Sequence, residues 1–199
     1  MFKTLFGRNP ASSSHSNNHS ARLRALEGSA SADKAAAMLI GPAALMQLSH
    51  DEARIVVSYM RPHRIDQGTI FIREGDVDKT DFMLLVLHGE VTVETIVVSR
   101  SEPITLTVLG PGRVIGEMGL LDGEPRAASC TATTDVHGAI LTRGGLAQLL
   151  DDDPRTAAKL MMAISLRLAV RLRESTDKLK MYTQLTQAMQ QEINQPTVQ

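Results

Sequence analysis

A single cysteine, Cys130, stands in 199 residues. It excludes an intramolecular disulfide or a cysteine-based metal cluster and fits a reducing, cytoplasmic setting. Tryptophan is absent and only 3% of residues are aromatic, so Val, Leu, Ile, Met and Ala must fill any core. No long apolar run exists. Residues 35–46 are too short to span a bilayer and contain Gly41-Pro42, and residues 1–7 are too short for the apolar part of a secretory signal. A net charge of −1 gives no general attraction to nucleic acid or to acidic partners. Nucleophile elbow, Walker loop and zinc-binding H-E-x-x-H are missing too, which leaves no enzymatic chemistry to assign. The apolar fraction of 43% over 199 residues is enough for one packed domain with extensions.

The most informative stretch is Gly116-Glu117-Met118-Gly119-Leu120-Leu121-Asp122-Gly123-Glu124-Pro125-Arg126-Ala127-Ala128. Its apolar run can form about one helical turn between two glycines. Backbone N–H groups at the start of such a turn are unpaired and favour negative charge. Arg126 adds a planar fork that suits two oxygens of one phosphate. Glu117 is acceptor-only, wrong for a phosphate and right for a sugar hydroxyl. A phosphate beside a ribose hydroxyl would satisfy both.

This stretch resembles the phosphate-binding cassette of cyclic nucleotide-binding domains. Those domains occur in bacterial catabolite-activator-type regulators, protein kinase regulatory subunits and gated channels. The resemblance runs from about Leu45 to Lys178. It takes in Gly68 to Asp76 as an early hairpin, Asp81 to Val91 with Gly89 as the next, and Leu109-Gly110-Pro111-Gly112 as the turn before the cassette. It implies that Gly116, Glu117, Met118, Arg126, Ala127 and Ala128 hold the phosphate and ribose. Ala127 offers no hydroxyl to a guanine, which favours cyclic AMP, with cyclic GMP or another cyclic nucleotide open. The resemblance also places Leu172, Ser175 and Thr176 of a long helix against the purine.

In chain order, residues 1–36 read as a disordered arm, residues 37–66 as a helical segment, residues 67–145 as the nucleotide-binding barrel, residues 146–193 as C-terminal helices and residues 194–199 as a disordered tail. Ser49-His50-Asp51-Glu52 reads as a capping box. From Asp66 to Thr142 short strands alternate with Gly- and Pro-containing turns, the pattern of a jelly-roll-type β-barrel with flanking helices. Asp151-Asp152-Asp153-Pro154 opens a long helix. In it Leu168, Leu172, Ser175, Leu179, Tyr182, Thr186, Met189 and Ile193 are spaced 4-3-4-3-4-3-4, a heptad seam that predicts a parallel homodimer. Basic residues outnumber Glu174 and Asp177 along residues 155–180, as on a solvated helix face.

The catabolite-activator-type regulators carry a helix-turn-helix after this helix, whereas only a polar stretch follows here. The expected output is a contact with an effector protein, with no specific DNA and no membrane span. Two readings stay open beside a stand-alone cyclic nucleotide receptor: a ligand-free dimeric interaction barrel, and a relative adapted to cyclic di-GMP. A DNA-binding regulator ranks below both. Metal is not expected. His15 and His19 sit in a Ser/Asn-rich stretch, His88 stands with only Glu90 near it in its strand, and His137 is far along the chain.

Overall fold

The computed structural model describes residues 21–42, 48–78, 80–95 and 104–194. Expectations for residues 1–20 (His15 and His19 among them), for the turn at residues 99–103 and for residues 195–199 lie outside these. The chain falls into two units, residues 1–163 and residues 164–199.

The first unit is built around strand β3 (Phe82–His88), which is apolar without alternation. Side chains alternate between faces along a strand, so such a run needs cover on both sides. It has it. Leu84 and Val86 join Ile65, Ile72, Val91, Ile115, Cys130, Ala132 and Val136 in the central core. Met83 and Leu85 point the other way and are equally buried. Helix α1 (Ala30–Leu39), with Ala32, Ala35, Ala36 and Leu39 buried, packs against β3 and against helix α2 (His50–Ser58).

Two four-stranded antiparallel sheets enclose the core. One has the order β1-β8-β3-β6, with β1 at Arg61–Ile65, β8 at Val136–Thr142 and β6 at Val114–Ile115. The other has the order β2-β7-β4-β5, with β2 at Ile70–Ile72, β7 at Ser129–Ala132, β4 at Val91–Thr95 and β5 at Ile104–Leu109. The architecture is the expected jelly-roll-type one, mainly β with flanking helices. It is an open pair of sheets with free edges, so "barrel" is too strong a word. Gly138 of β8 lies opposite Val86 of β3, its antiparallel neighbour. A Cβ there would meet a Leu84 methyl at 2.5 Å and the Leu85 carbonyl oxygen at 2.7 Å, so only glycine fits.

Three details differ from the sequence expectations. Residues 21–25 are helical and α1 starts at Ala30, well inside the arm expected to be disordered. The Ser29 hydroxyl caps α1 by accepting from the Ala32 N–H. Strand β1 falls before the expected barrel boundary at residue 67. Its sequence Arg-Pro-His-Arg-Ile has no apolar alternation, and Pro62 is tolerated because β1 is an edge strand. Helix α4 (Arg143–Asp152) begins directly after β8 and contains Gly144-Gly145. The Thr142 hydroxyl caps it by accepting from the Gly145 N–H at 3.1 Å.

The capping box is present: Ser49 Oγ accepts from the Glu52 N–H, and a Glu52 carboxylate oxygen accepts from the Ser49 N–H. The expected start of helix α5 (Pro154–Asn194) is present as well. Asp153 accepts from the Thr156 N–H at 3.0 Å and from its hydroxyl at 2.7 Å. The first turns of α5 bury Thr156, Ala157, Leu160 and Ala163. Lys159 pairs there with Glu52, and this bond is the main cause holding the Glu52 carboxyl below its ordinary value. Tyr59, just past α2, donates to Asp152 at 2.8 Å and lies under the Arg22 guanidinium. Burial above all, then Asp152, pushes its phenol pKa up.

The second unit is the rest of α5. Every residue from 170 to 191 is exposed. Thr176, Thr183 and Thr186 each donate their hydroxyl to the carbonyl four residues back, at 2.9 Å.

Candidate functional site

Strand β6 ends at Ile115, and Gly116 turns the chain with φ 80° into helix α3 (Glu117–Asp122). A left-handed φ favours glycine, and space demands it. A Cβ on Gly116 would stand 2.8 Å from Arg126 Nη1 and 3.0 Å from the Phe82 carbonyl oxygen. Gly119, one turn into α3, is equally constrained. Its Cβ would meet the Thr80 carbonyl oxygen at 2.5 Å and Arg126 Nη1 at 2.8 Å. The glycines of the cassette make a slot, and Arg126 fills it.

Arg126 donates from Nη1 to the Gly116 carbonyl at 3.2 Å and from Nη2 to the Phe82 carbonyl at 3.3 Å. Its guanidinium lies 4.5 Å over the Phe82 ring, a cation–π contact. Its backbone is pinned as well. The Gly75 N–H donates to the Arg126 carbonyl at 2.8 Å, and the Arg126 N–H donates to the Asp76 carbonyl at 3.0 Å. The early hairpin thus positions the arginine of the cassette. Arg126 is only 6% exposed. Burial lowers its pKa, and the carboxylates of Asp81, Asp122 and Asp76, among other groups, act against that. A guanidinium stays charged under such shifts, so the slot holds a permanent cation with a fixed plane.

Glu117 follows Gly116 directly and is 1% exposed. A buried carboxyl-bearing side chain and a buried guanidinium therefore flank one glycine turn. Met118 is exposed, and Ala127 and Ala128 follow Arg126 into β7, with Ala127 at the surface. These six residues share one corner of the first unit. Leu172, Ser175 and Thr176 belong to the second unit, where all three are exposed. The Thr176 hydroxyl donates to the Leu172 carbonyl.

Two contributors carry no sequence signal of their own. Phe82 reads as the first residue of a buried strand and Thr80 as loop. The histidines also differ from expectation. Far apart in sequence, His88 and His137 are register partners on β3 and β8, with ring centroids 6.0 Å apart. Strand pairing closes a separation that the linear sequence does not show. Among the described residues no three His, Cys, Asp or Glu side chains group to hold a metal, and no helix is long and apolar enough to cross a membrane.

The family model for the cyclic nucleotide-binding domain matches residues 62–153. A solved cyclic nucleotide-binding domain from Methylobacillus flagellatus is 33% identical with a TM-score of 0.63, over 74% of this chain and 83% of that one. The cyclic AMP receptor protein of Thermus thermophilus is 32% identical over 121 residues, which is 61% of this chain and 55% of the relative. A cyclic nucleotide-gated potassium channel of Rhizobium etli is 34% identical over 97 residues, 49% of this chain and 22% of the channel. The chain spans about a fifth to about half the length of these two curated relatives. With a solved cyclic nucleotide-binding domain matched at 33% identity over 83% of its length, and the family model matching residues 62–153, the chain belongs to the cyclic nucleotide-binding domain family.

Proposed function

We propose that this chain is a stand-alone cyclic AMP receptor that signals as a homodimer through contacts with an effector protein. The observation that carries the reading is Arg126, a buried guanidinium held against the Gly116 turn and the Phe82 ring. A cyclic phosphate would take the outward side of this cation and the N–H groups after Gly116. Glu117 would accept from the ribose hydroxyl, and Met118, Ala127 and Ala128 would close around the sugar-phosphate. Ala127 has nothing to offer a guanine, and the name of the Thermus relative supports cyclic AMP. No residue is assigned a catalytic role, and none is assigned to a metal.

The same reading takes residues 67–145 as the nucleotide-binding barrel and residues 146–193 as the C-terminal helices with the coiled-coil seam. Leu172, Ser175 and Thr176 would meet the purine. The unbroken exposed helix from residue 170 to residue 191, with Leu172, Leu179, Tyr182 and Met189 on the seam, supports the dimer. Its site of action is the cytoplasm, with neither specific DNA nor a membrane as partner.

Titration calorimetry with cyclic AMP, cyclic GMP and cyclic di-GMP tests the reading. Cyclic AMP should bind at one per first unit. Arg126→Ala would strand a buried phosphate and cost about 2–5 kcal/mol, roughly 30- to several-thousand-fold in affinity. Equal affinity in parent and variant would remove Arg126 from the site. Preference for cyclic di-GMP, or no binding of any of the three, would replace the reading with one of its two rivals.

A further inference from the structure

We infer that Arg143 is a positioning residue that couples the cassette helix α3 to α4, and through α4 to the start of α5. The inference rests on the nucleotide reading above. Arg143 is the first residue of α4. Its side chain reaches the C-terminal end of α3, where Nη2 donates to the Gly119 carbonyl at 2.7 Å and Nε donates to the Leu120 carbonyl at 3.2 Å. These are carbonyls that a helix this short leaves without intrahelical partners or with shared ones, at the negative end of its dipole. A forked cation is the side chain best suited to take two of them at once.

The fit is built into the neighbouring chain. Gly123 closes α3 with φ +69°, and a Cβ there would stand 2.7 Å from Arg143 Nη2 and 2.9 Å from Nη1. Glycine at this position therefore leaves room for the guanidinium as well as permitting the turn. The Arg143 N–H donates to the Asp81 carbonyl at 2.7 Å. One residue on, the Phe82 carbonyl accepts from Arg126. Two arginines thus hold one six-residue helix and the start of β3 from opposite ends. Arg126 bonds the Gly116 carbonyl ahead of α3, and Arg143 bonds the carbonyls of Gly119 and Leu120.

The two arginines differ in what lies behind them. Arg126 leads into β7, inside the sheets. Arg143 leads into α4, whose last turn meets Asp153, the residue that caps α5 through Thr156. Any shift of α3 on ligand binding must stretch the Arg143 bonds or carry the first turn of α4 with it. Holding α3 without being one of the residues assigned to the nucleotide is what separates a coupling role from a binding one.

Hydrogen exchange by mass spectrometry on the full chain, with and without saturating cyclic AMP, decides the matter. Without ligand, Arg143→Gln should speed exchange of the α3 amides about tenfold and leave β3 unchanged. With ligand, the parent should slow exchange in both α3 and the first turns of α4. Arg143→Gln should slow it in α3 alone, with cyclic AMP affinity within about threefold of the parent. Arg143→Lys keeps the charge but cannot fork to both carbonyls. It should show the same split at smaller amplitude, and it guards against a glutamine variant that does not fold. Unchanged α3 exchange in the ligand-free variants, or an α4 response that survives in them, overturns the inference while the parent still binds. So does a loss of affinity as large as that of Arg126→Ala in a folded variant. A parent that binds no cyclic nucleotide overturns the proposed function and the coupling role together, with the ligand-free α3 exchange still reporting the grip of Arg143.

Discussion

Helix α5 carries the same kind of residue along its length and meets two different fates. Its first turns bury Ala157, Leu160 and Ala163 within the first unit and pair Lys159 with Glu52. From residue 170 onward every described side chain is exposed, Leu172 at 69% and Leu179 at 66% among them. An isolated leucine at the surface needs no explanation, whereas a periodic row of them along one helix does. The apolar residues of the first stretch serve the fold of a single chain, and those of the second, on the dimer reading proposed above, would meet a second chain. Apolar content alone does not tell these cases apart, and the heptad period is what motivates the dimer reading.

The sharpest way to break this contrast is to charge the distal row. Leu172→Asp with Leu179→Asp would place two unpaired charges in a packed seam. At about 3–5 kcal/mol for an unpaired buried charge, association should weaken by at least roughly a thousand-fold. Light scattering should then report monomers, with cyclic AMP binding through Arg126 weakened by the loss of the Leu172 contact to the purine. A parent that already runs as a monomer at tens of micromolar sinks the dimer.

Truncating one leucine in each stretch sharpens the same contrast at a smaller scale. Leu160→Ala should cost about 2–5 kcal/mol of folding stability, because it opens a cavity under a fully buried side chain. Leu179→Ala should change the unfolding of the isolated chain by less than about 0.5 kcal/mol and show its effect only as weaker association. Denaturant melts at low and high protein concentration separate the two. Equal effects on the concentration-independent part would abolish the distinction.

Acid probes the proximal stretch alone. The Glu52 carboxyl is held below its ordinary value of 4.5, chiefly by the bond from Lys159. A depressed carboxylate stabilises the fold fully above the unfolded value, and that stabilisation fades as pH falls through the lower folded value. Glu52→Gln should therefore be less stable than the parent at pH 7, with the gap closing below about pH 4. A gap that stays constant down to pH 3 would assign the loss to packing rather than to the charge of Glu52.

The smallest effect is expected at Thr176. Its hydroxyl already bonds the backbone of its own helix, so Thr176→Ala should alter the unfolding of the ligand-free chain by less than about 0.5 kcal/mol. A fall in cyclic AMP affinity with stability unchanged would show that the hydroxyl turns to the purine when ligand is present.

Much of this was legible in the residues. The capping box at Ser49 and Glu52, the Asp153 cap of α5 and the two-sheet architecture follow from local patterns. So does the glycine turn before Glu117, because its chemistry is contiguous in sequence. What was not legible depends on distance along the chain. Strand β1 has no alternation to reveal it and is recognised only by pairing with β8. His88 and His137 become neighbours through register. Arg143 gives no sign of its two carbonyl partners, which lie 23 and 24 residues earlier. The sequence periodicity located the faces, and the pairing of remote strands decided which residues share a corner.

The open sheets have a practical side. Strand β5 ends its sheet, pairing with β4 on one flank and with no described strand on the other. Its sequence Ile-Thr-Leu-Thr-Val-Leu is uncharged and rich in residues that favour extended chains, with Leu106 and Val108 exposed. An edge of that kind is a template for adding further strands from other molecules. Storage at high concentration should therefore favour self-association through β5, and Val108→Lys is the first change to make in a preparation that clouds.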